Sequence, residues 1–142
     1  MTEITDAIAV LHGGDCAGAR SRFETIWSRI WDAPEAFHEC VLSHYMADAQ
    51  DEMDKELTWD LRALNAALRC TDEDAKRYQD SLSVPAFMPS LYLNLADDYR
   101  KLGNLALSKQ HLALAQESIS NLADDSYGRM IRRGIESLAA KL

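Results

Sequence analysis

The stretch Tyr92-Leu-Asn-Leu-Ala-Asp-Asp-Tyr-Arg-Lys-Leu-Gly-Asn-Leu-Ala-Leu-Ser-Lys-Gln-His-Leu-Ala-Leu-Ala115 carries two apolar periodicities parted by a single Gly-Asn pair. Before the pair, Tyr92, Leu95, Ala96 and Tyr99 fall at the three- and four-residue steps that keep one face of a helix apolar. After it, Leu105, Ser108, Leu112 and Ala115 do the same, and the steps continue to Ile119. Gly103 can take the left-handed geometry that ends one helix, and Asn104 can cap the next. The stretch reads as a helical hairpin whose apolar stripes must be buried against further helices.

The pattern recurs. Cys16, Ala19, Phe23, Ile26 and Ile30 sit 89 residues before Leu105, Ser108, Leu112, Ala115 and Ile119, and Gly14-Asp15 stands where Gly103-Asn104 stands. A further copy places Leu57, Leu61, Leu64 and Leu68 on one helix face, 51 residues before Ser108, Leu112, Ala115 and Ile119. The helix before it, Phe37 to Gln50, has Leu42-Ser43-x-x-Met46 where the last copy has Leu95-Ala96-x-x-Tyr99. The turn in this middle copy is longer by two residues, since Met46 to Leu57 spans 11 positions and Tyr99 to Ser108 spans 9.

Between the second and third copies, Thr71-Asp-Glu-Asp reads as a cap followed by an acidic first turn, opening an extra helix over 72–83 with Ala75, Tyr78 and Leu82 on its apolar side. Pro85 and Pro89 stop that helix and restart the chain. Asp124-Asp125 open a last helix, 124–141, with Tyr127, Ile131, Ile135 and Leu138 on one face. The expectation is an all-α chain of about eight helices in one domain, 1–142, with copies at 1–33, 34–70 and 89–122.

The hairpin run Tyr92-x-x-Leu95-Ala96-x-x-Tyr99, Gly103, Ser108-x-x-x-Leu112 and Ala115 resembles the tetratricopeptide repeat, and Ala19-x-x-x-Phe23 matches the second half of that pattern. The small residues Ala96, Ser108 and Ala19 let neighbouring helices approach, while Tyr99, Leu112 and Phe23 fill the gaps. The resemblance implies a stack of antiparallel helix pairs, as a right-handed superhelix or a compact α-α bundle. It also implies a non-catalytic scaffold or adaptor with no cofactor. In this family the first helix of each pair lines a concave face that holds a protein or peptide segment. Carried onto matching positions, that face comprises Leu93, Asn94, Asp97 and Lys101 from the third copy and Cys40, Val41, His44 and Asp48 from the second. Asn94 stands where family members commonly bond a peptide backbone.

Composition limits the partners. The net charge is −8, and 47% of residues are hydrophobic, enough for a sizeable core. Residues 1–70 hold 13 acids and 6 bases, a net −7, whereas 71–142 hold 10 and 9, a net −1. Such a chain repels phosphates, so nucleic acid is not expected as a partner. No apolar run reaches the length of a membrane span, and the start Met1-Thr-Glu-Ile-Thr-Asp is acidic where a secretory leader is basic. A cytoplasmic monomer or weak homodimer is expected.

Other chemistry finds less purchase. Cys16, Cys40 and Cys70 lie far apart without a Cys-x-x-Cys and read as reduced, mostly buried thiols. Cys40 and His44, one helical turn apart, carry the alternative function: a thiol, metal or small-ligand sensor, with Cys70 as an accessory. The acids Asp48, Asp51, Glu52, Asp54 and Glu56 lack the spacing and glycine of an EF-hand and read as a solvated turn. Trp27, Trp31 and Trp59 read as helix packing rather than a stacking platform, and Arg129, Arg132 and Arg133 as an outer basic face. Asp97 and Asp98 point to different helix faces, and His12-Gly13-Gly14-Asp15 lacks the residues of a phosphate loop, so no enzyme is expected.

Overall fold

Gly14 and Gly103 have φ of 94° and 81°, left-handed values that strain any residue with a Cβ. Each ends a helix in the same way. Around Gly103 the Asn104 N–H donates to the Tyr99 carbonyl and the Gly103 N–H to that of Arg100; around Gly14 the Asp15 N–H donates to Val10 and the Gly14 N–H to Leu11. This is a Schellman closure twice over, related bond for bond by the shift of 89 that links the two turns in sequence. The caps repeat as well. The Asp15 carboxylate accepts from the Gly18 N–H at 2.9 Å, and the Asn104 side-chain oxygen accepts from the Leu107 N–H at 3.2 Å.

In this computed structural model, residues 2–32, 34–77 and 83–142 are described. All regular structure among them is helical: α1 (Thr2–His12), α2 (Cys16–Ile30), α3 (Ala36–Asp48), α4 (Met53–Arg69), α5 (Asp72–Lys76), α6 (Val84–Lys101), α7 (Leu105–Glu117), a 3-10 turn (Ile119–Asn121) and α8 (Ser126–Lys141). The helices pack in neighbouring pairs, α1 with α2, α3 with α4 and α6 with α7. The chain forms two compact units, Met1–Cys70 and Thr71–Leu142, divided where the middle copy ends.

In the first unit, Ile4, Ala7, Ala19, Phe23, Leu42 and Met46 form the core. Ala7 and Ala19 are fully buried and lie 89 positions before Ala96 and Ser108, so the two hairpins cross at small residues in the same register. In the second unit, Ala96, Leu112, Ala115, Ile131, Ile135 and Leu138 pack together, and α8 rests on both α6 and α7 as a terminal helix should. The approach is close enough that a Cβ at Gly134 would stand 2.8 Å from Leu93 Cδ2. Tyr127, expected on the same buried face, is 46% exposed, though its hydroxyl donates to the Ser90 hydroxyl at 3.0 Å.

Three readings of the sequence need correction. The leucine stripe of α4 is not its packing face: Leu61 and Leu68 are exposed, whereas Asp60, Ala63, Ala66 and Ala67 are buried. The alanines win because α3 and α4 are closely packed, and a close crossing favours the side that offers least side-chain bulk. Secondly, Pro89 does not restart the chain. Helix α6 begins at Val84 with Pro85 in its first turn and runs through Pro89, the lost bond being that to the Pro85 carbonyl on an exposed residue. Thirdly, Tyr99 is half-buried rather than a core filler, its ring tilted against His111 at 5.1 Å between centroids. Of the extra helix expected over 72–83, α5 covers Asp72–Lys76, opened by the reciprocal capping box of Thr71 and Asp74, while Arg77 lies in a turn and Ser83 is not helical. Tyr78 and Leu82 lie outside the described residues.

Candidate functional site

Residues expected on the concave face come from both units. On α3, Cys40 is buried, with its thiol pushed up to about 12 by burial, by the Cys70 thiol and by the Glu39 carboxylate. Val41 is partly buried against the core of that unit, and Asp48 is exposed at the end of the helix. His44 is half-covered, its ring edge-on to Tyr45 at 4.9 Å. Burial holds His44 below the usual imidazole range, with the Asp48 carboxylate opposing the shift.

On α6, Leu93 is partly buried, packed against the core of the second unit beside Gly134 of α8. Asn94 and Asp97 are half-buried and Lys101 is exposed. Asp97 and its neighbours form a closed ionic group: Arg100 Nη2 is 2.8 Å and Lys101 Nζ 3.4 Å from the Asp97 carboxylate. Asp98 is fully buried, so the adjacent acids do point to different sides of the helix. Of the acids near the α3–α4 turn, Asp48, Asp51, Glu52 and Asp54 are exposed and Glu56 is half-buried; Asp51 pairs with Arg20 at 3.1 Å and Glu52 with Lys55 at 3.2 Å. In the basic group on α8, Arg132 donates to the carbonyls of Leu122 and Ala123, which makes it a cap for the preceding turn.

The first unit contains a cleft of about 660 Å³. It is lined by Trp27 and Trp31 from the end of α2, Pro34, Glu39 from α3, and Leu61, Arg62 and Asn65 from α4. Trp27 and Trp31 share a side of α2 because they are four residues apart. Trp27 packs as expected, edge-on to Trp59 at 5.4 Å with the ring planes perpendicular. Trp31 does not: it is 61% exposed at the mouth of the cleft. The Arg62 guanidinium carbon lies 4.7 Å from the Trp27 ring centroid and 5.1 Å from that of Trp59, so the cation is held by two indoles.

The remaining charges of the cleft compensate one another. The Glu39 carboxylate, only 12% exposed, accepts from Arg69 Nη2 at 2.6 Å, and Arg69 Nε donates to the Asn65 side-chain oxygen at 3.1 Å. Arg62 makes no hydrogen bond or ion pair with a described residue. The cleft therefore combines an apolar rim with one uncompensated, pre-oriented guanidinium. The signal in sequence was the Trp27/Trp31 pair; that Arg62 joins it depends on how α2 and α4 are brought together.

No protein-family model, curated protein or solved structure matches the chain. Among the described residues, no helix is long and apolar enough to cross a membrane.

Proposed function

We propose that this chain is a non-catalytic interaction module, related in design to tetratricopeptide repeats, that binds a peptide segment of a protein partner. The observation that carries this reading is the cleft of the first unit, open at a large exposed indole and bordered by exposed Leu61 on a helix whose other side is spent on packing. Aromatic and aliphatic side chains held open in this way supply contact area to a partner at little entropic cost. The repeated Schellman turns and the matched Ala7/Ala19 and Ala96/Ser108 crossings support descent of the hairpins from a common repeat design. The thiol-sensor alternative is less favoured because burial keeps the Cys40 thiol protonated at neutral pH, so little of the nucleophilic thiolate is present.

Selection of a random linear-peptide display library on the whole purified chain tests the proposal. Enriched peptides should quench or shift indole fluorescence, and Trp31→Ala should weaken them roughly tenfold or more without changing the melting temperature. Failure to enrich any peptide, or binding indifferent to Trp31→Ala, would count against the cleft as the contact surface.

A further inference from the structure

The arrangement around Arg62 says what chemistry the cleft selects. Three cations bear on the α4 side of the first unit, and they have different duties. Lys55 pairs with Glu52 in the exposed turn, and Arg69 is committed to Glu39 and Asn65. Arg62 alone among these keeps its donors unspent, while its guanidinium carbon lies over the mutually perpendicular rings of Trp27 and Trp59. A guanidinium held by two cation–π contacts has already lost much of its rotational freedom, and its in-plane N–H groups match the two oxygens of a carboxylate. Around it lie Trp31, Pro34 and Leu61, which offer apolar contact.

From this we infer that the cleft recognises a linear segment of a partner protein bearing an Asp or Glu carboxylate beside a bulky apolar side chain. The carboxylate pairs with Arg62, and the apolar neighbour lies on Trp31 and Leu61. The inference rests on the peptide-binding reading above and adds the specificity of that same site. One cation matches one monoanion. A phosphorylated residue, with about −1.5 to −2 charges, would bring negative charge that a single guanidinium does not neutralise. The unit's other acids do not cancel the local attraction: Glu39 is neutralised by Arg69, and screening over about 8 Å at physiological salt removes most of the repulsion from more distant acids.

The test uses the peptides enriched from the random linear library on the intact chain. Each is remade with its acidic residue changed, Glu to Gln or Asp to Asn, and each is measured by indole fluorescence against wild type, Arg62→Gln and Arg62→Lys. Enriched peptides should share an acid next to Leu, Ile, Phe or Trp. Neutralising that acid should weaken wild-type binding by roughly tenfold to a hundredfold, and should have little further effect on Arg62→Gln. Arg62→Lys should recover only part of the affinity, because an ammonium lacks the planar fork. Peptides that bind at Trp31 but carry no acid, carry a basic or proline-only pattern, or tolerate neutralisation of their acid would overturn the inference and leave the peptide-binding reading intact. Absence of any enriched peptide would overturn both. A dimer seen by light scattering and abolished by Trp31→Ala would assign the cleft to a second copy and also overturn it. The peptide-side change needs no altered protein, so the outcome stands even where Arg62→Gln lowers stability.

Discussion

The Ser108 hydroxyl donates to the Ala96 carbonyl oxygen across 2.6 Å in the buried crossing of α6 and α7. At the matching crossing of α1 and α2 stand Ala7 and Ala19, both without exposed surface. No room is left at either point for a longer side chain. Ala19→Leu and Ser108→Leu should each destabilise the fold by about 1–3 kcal/mol, whereas Lys109→Leu, one residue away on the exposed side, should stay within about 0.5 kcal/mol of wild type. Chemical denaturation of the three variants checks this; a neutral Ala19→Leu would contradict the crossing.

The shared glycine turns make a paired forecast. Gly14 and Gly103 adopt left-handed φ with no neighbouring atom in the way of a Cβ, so the penalty for alanine is purely conformational. Gly14→Ala and Gly103→Ala should each cost about 1–2 kcal/mol, by nearly equal amounts. Clearly unequal losses would show that the turns differ in ways their hydrogen bonds do not.

Helix α4 inverts the usual expectation that leucine matters more than alanine. Leu68 is 68% exposed, and its replacement by Ser should change stability by no more than about 0.5 kcal/mol. Ala63→Leu and Ala67→Leu, at fully buried positions, should cost about 1–3 kcal/mol by overpacking. Thermal melts of these variants distinguish the leucine face from the alanine face directly.

Ser43 occupies the place of Ala96 in the middle copy, but its buried hydroxyl makes no hydrogen bond among the described residues. Removing an unsatisfied donor while keeping the shape is favourable, so Ser43→Ala should stabilise the protein by about 1 kcal/mol. A destabilised Ser43→Ala would mean that the hydroxyl has a partner in solution.

Buried Cys40 and half-covered His44 each make stability depend on pH. Cys40 is shifted upward, from 9.0 to about 12. Between those values the unfolded chain has lost a proton that the native one keeps, so stability falls with rising pH, by up to about 1.4 kcal/mol per unit. His44 is shifted the other way, so its contribution is full above the ordinary imidazole value and is lost as pH falls below it. Denaturant midpoints should therefore plateau between roughly neutral pH and 9 and decline on both sides. Cys40→Ala should remove most of the alkaline decline. At pH 8, a thiol reagent should modify exposed Cys16 in the native protein and reach Cys40 only on unfolding.

The helical hairpins were legible in the chain because their causes are local. The steps of three and four residues, the glycine that alone tolerates positive φ, and the Asp or Asn behind it act within a few residues, and they fixed α1–α2 and α6–α7 and their common register. The terminal helix was readable for the same reason. Periodicity failed on α4, where Leu57, Leu61, Leu64 and Leu68 make a regular stripe but the buried side is Asp60, Ala63, Ala66 and Ala67. A stripe states only that one side is apolar; which side is buried depends on how closely α3 approaches, and the close crossing selects the small residues. The groove residues diverged in the same manner, Cys40 being buried and Leu93 packed partly against the core of its unit. The cleft was the least legible feature, because Trp27, Glu39, Arg62 and Arg69 are separated in the chain and meet only through packing. Local sequence determined the helices and their turns; the tertiary structure decided which faces remained open, since exposure is a property of what packs nearby and not of the residue itself.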